Sequence, residues 1–275
     1  MEKNYNQNKF ALVLRGHIRD SFDNDHLKNF VEKLAKNYSV DVYVQSWVEN
    51  EAKVSWGKRK LRRDNIISVN EEYFEKYFGS TLMSKIKKFL IYDDSHIKLI
   101  GDVIGSVQSI PKIAWKNMWY GKYNILKYVK ETNINYDFIV NMRIDLFTNQ
   151  ISIQQGMNSK KIIKKIDNLL YSKKVSNLHF FDRWIPRRGI DNCYFGPLEK
   201  MYEHHKLFHY SLDEIDDRYN GMYNHEKIVF FVAKEIYPSG FWFIRKAEEI
   251  TPFICTVHSW LNTKYGIVAW RKRVR

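Results

Sequence analysis

Arg143 and Asp145 lie two positions apart where an apolar run of the chain ends. The run covers residues 136–142 and predicts a strand, on which two such positions share one face. A carboxylate there suits Mg²⁺ or Mn²⁺ carrying a diphosphate, and the arginine adds a second cation. The alternative is an ordinary surface ion pair, because a pattern as short as Arg-x-Asp also occurs without any function.

A polar turn near the start of the chain offers a second group of ligand-binding side chains. Residues 10–14 are all apolar and predict a buried strand, which Arg15, Gly16, His17 and Arg19 follow. Gly16 permits close backbone approach to a ligand, and the arginines are donors suited to phosphate or to the edge of a base. His17 either donates to a phosphate or lies in solvent as an ordinary loop histidine. We therefore expect this turn to bind a nucleotide.

These side chains need a scaffold that brings strand ends together. Apolar residues at helical spacing from Phe22 to Tyr38 are followed by a second strand pattern at 40–47, which completes a βαβ unit. Ligands of such folds bind beyond the carboxyl ends of the parallel strands. Trp47 closes the second strand, where it either stacks on a base or packs in the core.

The rest of the sequence predicts an alternation of helices and strands without an internal boundary. A basic run at 57–65 is either a solvated loop or a mobile loop that meets an anionic ligand. We therefore expect an α/β fold in a single domain over residues 1–275. The remaining predicted elements are helices at 71–90, 112–128, 160–170 and 227–236, and a β-rich stretch at 178–195.

Composition limits the class of protein. The chain has 275 residues, a formal net charge of +14, 44% hydrophobic residues and 16% aromatic residues, which excludes disorder for most of it. Cys193 and Cys255 lie in apolar surroundings without C-x-x-C spacing, so we expect both to be core residues. The N-terminus lacks a secretory pattern and the longest apolar run, 228–233, is too short to span a membrane. We therefore expect a cytoplasmic protein.

Three segments together resemble GT-A-type glycosyltransferases of bacterial and large-virus surface-polysaccharide loci. They are residues 14–19, 41–47 and 136–146, within a resemblance that covers residues 8–240. It implies a GT-A-like, Rossmann-type sheet with flanking helices. It also implies that Arg143-x-Asp145-Leu stands for the Asp-x-Asp metal motif, with Asp145 on Mn²⁺ or Mg²⁺. Arg143 stands where that motif has its first acid.

The same resemblance implies a catalytic base in the second half of the chain. Asp191 lies in a polar loop before a predicted strand, where it would hold donor-sugar hydroxyls or act as the base. Glu226 begins the predicted helix 227–236, where it would be the base or would simply offset the helix dipole. The sequence does not separate these two candidates.

The predicted function is therefore transfer of a sugar from a nucleotide-diphosphate sugar to a capsule, lipopolysaccharide or other surface-glycan acceptor. The net charge also fits a nucleic-acid-binding protein, but the basic residues are scattered and no zinc-finger or RNA-binding signature is present. A sulfotransferase-like phosphonucleotide enzyme is a further alternative, although the phosphate-loop motif is absent.

The C-terminal residues predict a membrane contact. Residues 267–275 place an apolar run and a tryptophan directly before four cations. Such a segment either lies on an anionic membrane surface or is a solvated basic tail. Surface glycans are usually assembled on lipid carriers at the cytoplasmic face, so we expect peripheral association there with a lipid-linked acceptor.

Overall fold

A computed structural model describes residues 8–53, 65–107, 110–154, 156–171, 178–180, 192–219 and 225–236. Its strands are β1 (Lys9–Arg15), β2 (Ser39–Trp47), β3 (Ile86–Tyr92), β4 (Ser106–Val107), β5 (Ile110–Pro111), β6 (Phe138–Arg143), β7 (His179–Phe180) and β8 (Cys193–Gly196). Its helices are α1 (His26–Asn37), α2 (Glu71–Met83), α3 (Lys112–Glu131), α4 (Gln150–Gln154), α5 (Ser159–Tyr171), α6 (Leu198–Tyr210), α7 (Leu212–Arg218) and α8 (His225–Ile236). A 3₁₀ turn covers Ile144–Phe147.

A six-stranded sheet forms the centre of the described fold, with strand order β3-β2-β1-β6-β8-β7. Strands β3, β2, β1 and β6 are parallel, whereas β8 runs antiparallel to β6 and β7 antiparallel to β8. Helix α1 contacts α2 and α5, and α3 contacts α6. The crossover from β1 to β2 and the crossover from β3 to β6 run in opposite directions across the sheet. Because both are right-handed, α1 and α3 cover opposite faces. The predicted α/β class is confirmed.

Apolar patterning accounts for the elements around the first two strands. All five residues from Phe10 to Leu14 have no exposed surface, as expected for a parallel strand covered on both faces. In α1 the buried residues Leu27, Phe30, Val31 and Leu34 recur at helical spacing. The predicted βαβ unit is therefore confirmed.

The helix predicted over residues 71–90 is wrong in its second half. Asn70 caps α2 by accepting a hydrogen bond from the Tyr73 amide at 2.9 Å, but the helix is interrupted at Gly79, where φ is +75°, and ends at Met83. Strand β3 follows and pairs with β2. The residues from Ile86 to Tyr92 are largely β-branched or aromatic, which suits a strand beside β2 better than a helix.

The later elements follow the predictions more closely. Helices α3, α5 and α8 occur where helices were predicted, and β7 and β8 lie in the predicted β-rich stretch. Cys193 is buried in β8 as predicted, and burial raises the pKa of its thiol to about 12. Cys255 and most of the basic run 57–65 lie outside the described residues. Among the helices that the structure describes, none has both the length and the apolarity needed to cross a bilayer.

All described residues belong to the compact unit Met1–Trp242. The single domain expected over residues 1–275 therefore stays a prediction.

Candidate functional site at the carboxyl ends of β1, β2 and β6

The chain changes direction across the sheet at β1. The connection from β1 leads to β2 on one side, whereas β6 pairs with β1 on the other side. Such a switch point opens a crevice beyond the carboxyl ends of the two strands, where ligands of open α/β sheets bind. Arg15 and Arg143 are register partners at these ends. The residues expected to bind a ligand therefore lie next to the crevice in which this topology places ligands.

Asp145 is the buried centre of an ion-pair cluster. Strand β6 ends at Arg143, so the 3₁₀ turn rather than a shared strand face brings the two residues together. Arg143 donates from Nε to Oδ1 of Asp145 at 2.7 Å and from Nη2 to Oδ2 at 2.6 Å. Arg19 also donates to Oδ2 from Nη1. Burial of Asp145 works to raise its carboxyl pKa, but the two guanidinium groups outweigh burial and hold that pKa well below its usual range.

Arg19 joins three loops at this edge. Its backbone has a φ of +53°, which is unusual for a residue with a side chain, and its amide donates to the Asn50 carbonyl at 2.8 Å. Its Nε donates to Glu51 at 3.1 Å, while Nη1 reaches Asp145. The loops after β1, β2 and β6 are thus held together by one guanidinium group. Glu51 was not predicted from the sequence.

The cluster does not fit a divalent cation. Both oxygens of Asp145 already accept hydrogen bonds from guanidinium groups, whose positive charge opposes a second cation at the same carboxylate. Nowhere in the described parts of the chain do three His, Cys, Asp or Glu side chains lie together as metal ligands. Binding of Mn²⁺ or Mg²⁺ at Asp145 therefore stays a prediction.

His17 lies beside the cluster with a defined tautomer. Its Nδ1 lies 3.2 Å from the Glu49 carbonyl oxygen and therefore carries the proton that it donates. Burial, reinforced by the charge of Arg19, lowers the pKa of His17 to about 3. The ring is then neutral at pH 7, and Nε2 accepts hydrogen bonds instead of donating them. The predicted donation to a phosphate does not fit this tautomer.

Gly16 has a left-handed backbone conformation, which favours glycine at this turn. Its φ is +100°, its amide donates to the Gln45 carbonyl at 3.0 Å, and a Cβ built there would meet nothing within 4 Å.

Trp47 differs from the expectation of base stacking. Its side chain is only 5% exposed, and its ring packs near those of His17 and Tyr92. The core alternative fits Trp47.

The predicted contact of the Arg15 side chain with the donor is not supported by its position. Arg15 is 3% exposed, donates from Nε to Oδ1 of Asn141 at 2.6 Å and lies 5.4 Å from the centre of the Tyr194 ring. It therefore belongs to the interior behind the strand ends. Asn141 was part of the predicted strand. Because it lies two positions before Arg143, the sequence already indicated that its side chain is on the same face of the sheet as that of Arg143.

No family model matches the chain. No curated protein matches it either. A solved structure of a cytidylyltransferase from Leptospira borgpetersenii serovar Hardjo-bovis (strain JB197) is similar at a TM-score of 0.36 and 14% identity. The similarity covers 88% of this chain and 77% of that chain.

The predicted catalytic acids are placed only in part. Asp191 lies outside the described residues, but Asn192, the next residue, accepts from the Arg143 amide at 2.9 Å through its carbonyl. Its side-chain oxygen also lies 3.3 Å from Nη1 of Arg143. Glu226 is in the first turn of α8, as predicted. The membrane contact of residues 267–275 lies outside the described residues and stays a prediction.

Proposed function

We propose that this chain is a nucleotide-sugar-dependent glycosyltransferase that binds the donor diphosphate at the cluster of Arg19, Arg143 and Asp145. The observation that carries the proposal is the position of two ordered guanidinium groups at the carboxyl edge, at the switch point of a parallel sheet. Guanidinium groups match phosphate oxygens in geometry and charge. The surface-glycan acceptor follows from the sequence resemblance.

The cluster supplies electrostatic stabilisation of a leaving group. During transfer the bond between the sugar anomeric carbon and the diphosphate oxygen breaks, and its electron pair stays on the diphosphate. Preorganised donors at that oxygen lower the barrier because they need no rearrangement during the reaction. Asp145 keeps Arg143 and Arg19 oriented before the donor arrives. The acceptor oxygen bonds to the anomeric carbon, and its proton passes to Asp191 or Glu226 in this proposal.

Thermal denaturation with a panel of nucleotide sugars, each with and without manganese, tests the proposal first. A ligand that binds the folded state raises the apparent stability by mass action, so the true donor stands out from the panel. The manganese arm tests the metal prediction separately. If no nucleotide sugar stabilises the wild-type protein, with or without manganese, the proposed function is rejected.

Arg19→Lys tests the contact with the diphosphate. Arg19 uses Nε and Nη1 in the cluster, and for its Nη2 the structure gives no partner among the described residues. Lysine keeps the charge but lacks the fork, so we expect donor affinity to fall about tenfold, which corresponds to about 1.4 kcal/mol. Lys53→Gln is the matched control, because Lys53 pairs with Asp93 and Asp94 at the same edge outside the cluster. Equal donor affinity in wild type and Arg19→Lys would place the diphosphate elsewhere.

A further inference from the structure

A chain of buried polar groups runs behind the strand ends, from β1 to α8. Arg15 Nε lies 2.6 Å from Oδ1 of Asn141, and Asn141 Nδ2 lies 3.2 Å from Nε2 of His205. The Nδ1 atoms of His205 and His204 are 3.2 Å apart, and His204 Nε2 lies 3.5 Å from the Val229 carbonyl oxygen. Arg15 is 3% exposed and both histidines have no exposed surface. Every link of the chain is therefore shielded from water.

The two ends of this chain fix its direction. Arg15 Nε can only donate, and the Val229 carbonyl can only accept. Asn141 must then accept at Oδ1 and donate from Nδ2, so His205 accepts at Nε2 and carries its proton on Nδ1. That proton is donated to Nδ1 of His204, which carries its own proton on Nε2. Both rings are neutral, and each has a different tautomer.

The surroundings favour these neutral rings. Among the described residues, Lys122 of α3 and Arg15 of β1 are cations near the histidine pair, and both oppose a further positive charge. Burial lowers the pKa of His204 to about 3 and the pKa of His205 well below its ordinary value. Tyr194 of β8 also faces the pair, with its ring centre 5.0 Å from that of His205. The chain thus persists at neutral pH.

We propose that Asn141 and His205 are positioning residues that hold the guanidinium group of Arg15, and with it the end of β1 from which the Arg19 loop starts, through this one-directional chain. Arg15 precedes Gly16 and is the register partner of Arg143. A loose Arg15 would move the turn that delivers Arg19 to Asp145. The effect on donor binding rests on the proposed function, whereas the chain of hydrogen bonds itself does not.

Nitrogen-15 spectra of histidine-labelled protein test the chain without any ligand. At pH 7 we expect the Nδ1-protonated neutral tautomer for His205 and the Nε2-protonated neutral tautomer for His204. Difference spectra against His205→Leu and His204→Leu assign the two signals, and His205→Gln, which keeps a donor and an acceptor, is the substitute if the leucine variant does not fold. A proton on Nε2 of His205, or a charged ring, would overturn the proposal.

The Arg15 Nε–H resonance tests positioning directly. We expect His205→Leu to shift this resonance and His205→Gln to restore part of the shift. His209→Leu is the matched control, because His209 lies one turn further along α6 and is not part of the chain of hydrogen bonds. Its ring also packs against an aromatic ring, that of Tyr123. An unchanged Arg15 resonance in His205→Leu would contradict the positioning role.

Donor affinity connects the chain with the proposed function. His205→Leu should weaken binding of the nucleotide sugar selected by the panel about tenfold, and this loss should disappear in an Arg15→Lys background because the two residues act as one unit. Additive losses in the double variant would overturn the link through Arg15. If wild type binds no nucleotide sugar, the proposed function fails, and the two spectroscopic tests still decide whether the chain positions Arg15.

Discussion

The two edges of the parallel sheet carry ion pairs of different kinds. At the amino edge, Asp41 lies 3.3 Å from Lys9 and 3.5 Å from Lys87, and the two lysine side chains are 41% and 45% exposed. At the carboxyl edge, the Asp145 side chain is 4% exposed, and those of its partners Arg19 and Arg143 are 11% and 24% exposed. Water therefore screens the first group of charges and is largely excluded from the second.

This difference supports placing the proposed donor site at the carboxyl edge. Exposed pairs contribute about 0–1 kcal/mol and can be lost at little cost. A buried cluster must overcome desolvation of several kcal/mol per ion, so it is weak evidence for a stabilising role. Buried, perturbed charges at a crevice are instead typical of functional sites. Substitutions at each edge test this comparison.

Asp145→Asn should have the largest effect. The change keeps the size of the side chain but removes the buried charge that compensates Arg19 and Arg143, which leaves two partly buried guanidinium groups underpaired. We expect the free energy of unfolding to fall by about 3 kcal/mol, together with loss of donor binding. Urea denaturation at pH 7 measures the first effect and calorimetric titration with the donor measures the second. A loss below about 0.5 kcal/mol would mean that the cluster is energetically similar to the exposed edge.

His17→Gln should change the pH dependence of stability. Because the folded-state pKa of His17 is about 3, below the ordinary 6.5, the unfolded chain binds the proton more readily. The stability from the neutral ring is complete above pH 6.5 and is lost progressively as the pH falls toward 3. Glutamine retains a donor for the Glu49 carbonyl and does not titrate. Between pH 6.5 and 5 the variant should therefore lose about 1.5 kcal/mol less than wild type.

His96→Gln is the control for this pH effect. The His96 side chain is 82% exposed and lies outside the cluster, so this variant measures what the same substitution does at an exposed histidine. Denaturation series at several pH values measure both variants. Identical pH profiles for wild type and His17→Gln would show that His17 is not held neutral at the carboxyl edge.

The sequence was sufficient to predict strands β1, β2 and β6, but it missed β3 and did not reveal how the charges pair. Continuous apolar runs identified β1 and β6 because parallel strands are buried on both faces. The contact of Arg19 with Asp145 joins residues 126 positions apart and depends on a positive φ at Arg19, neither of which a single sequence reveals. The inward position of Arg15 depends on its contact with Asn141 across the sheet. Strand parity made such a contact possible but did not distinguish it from solvent exposure.

Asp41→Asn at the amino edge should have a smaller effect than Asp145→Asn. Asp41 accepts a hydrogen bond from the Tyr136 hydroxyl at 2.8 Å, and asparagine can accept it through Oδ1. Only the attraction to the exposed Lys9 and Lys87 is lost, so we expect a decrease of about 1 kcal/mol in the free energy of unfolding. Donor affinity should be unchanged, because the residue lies at the opposite edge. A decrease in donor affinity equal to that of Asp145→Asn would remove the functional distinction between the edges.

Lys87→Ala should have the smallest effect of the four. Lys87 is half-exposed, lies 3.5 Å from Asp41, and leaves Lys9 and Tyr136 in place when it is truncated. The free energy of unfolding should therefore change by less than about 0.5 kcal/mol at 0.15 M salt. Raising the salt to 1 M shortens the Debye length from about 8 Å to about 3 Å, so any remaining difference from wild type should shrink. Denaturation curves at both salt concentrations, with Asp145→Asn measured in parallel, compare the edges directly, since a buried pair is screened much less. A salt-insensitive loss of about 3 kcal/mol for Lys87→Ala would show that the amino edge also excludes water.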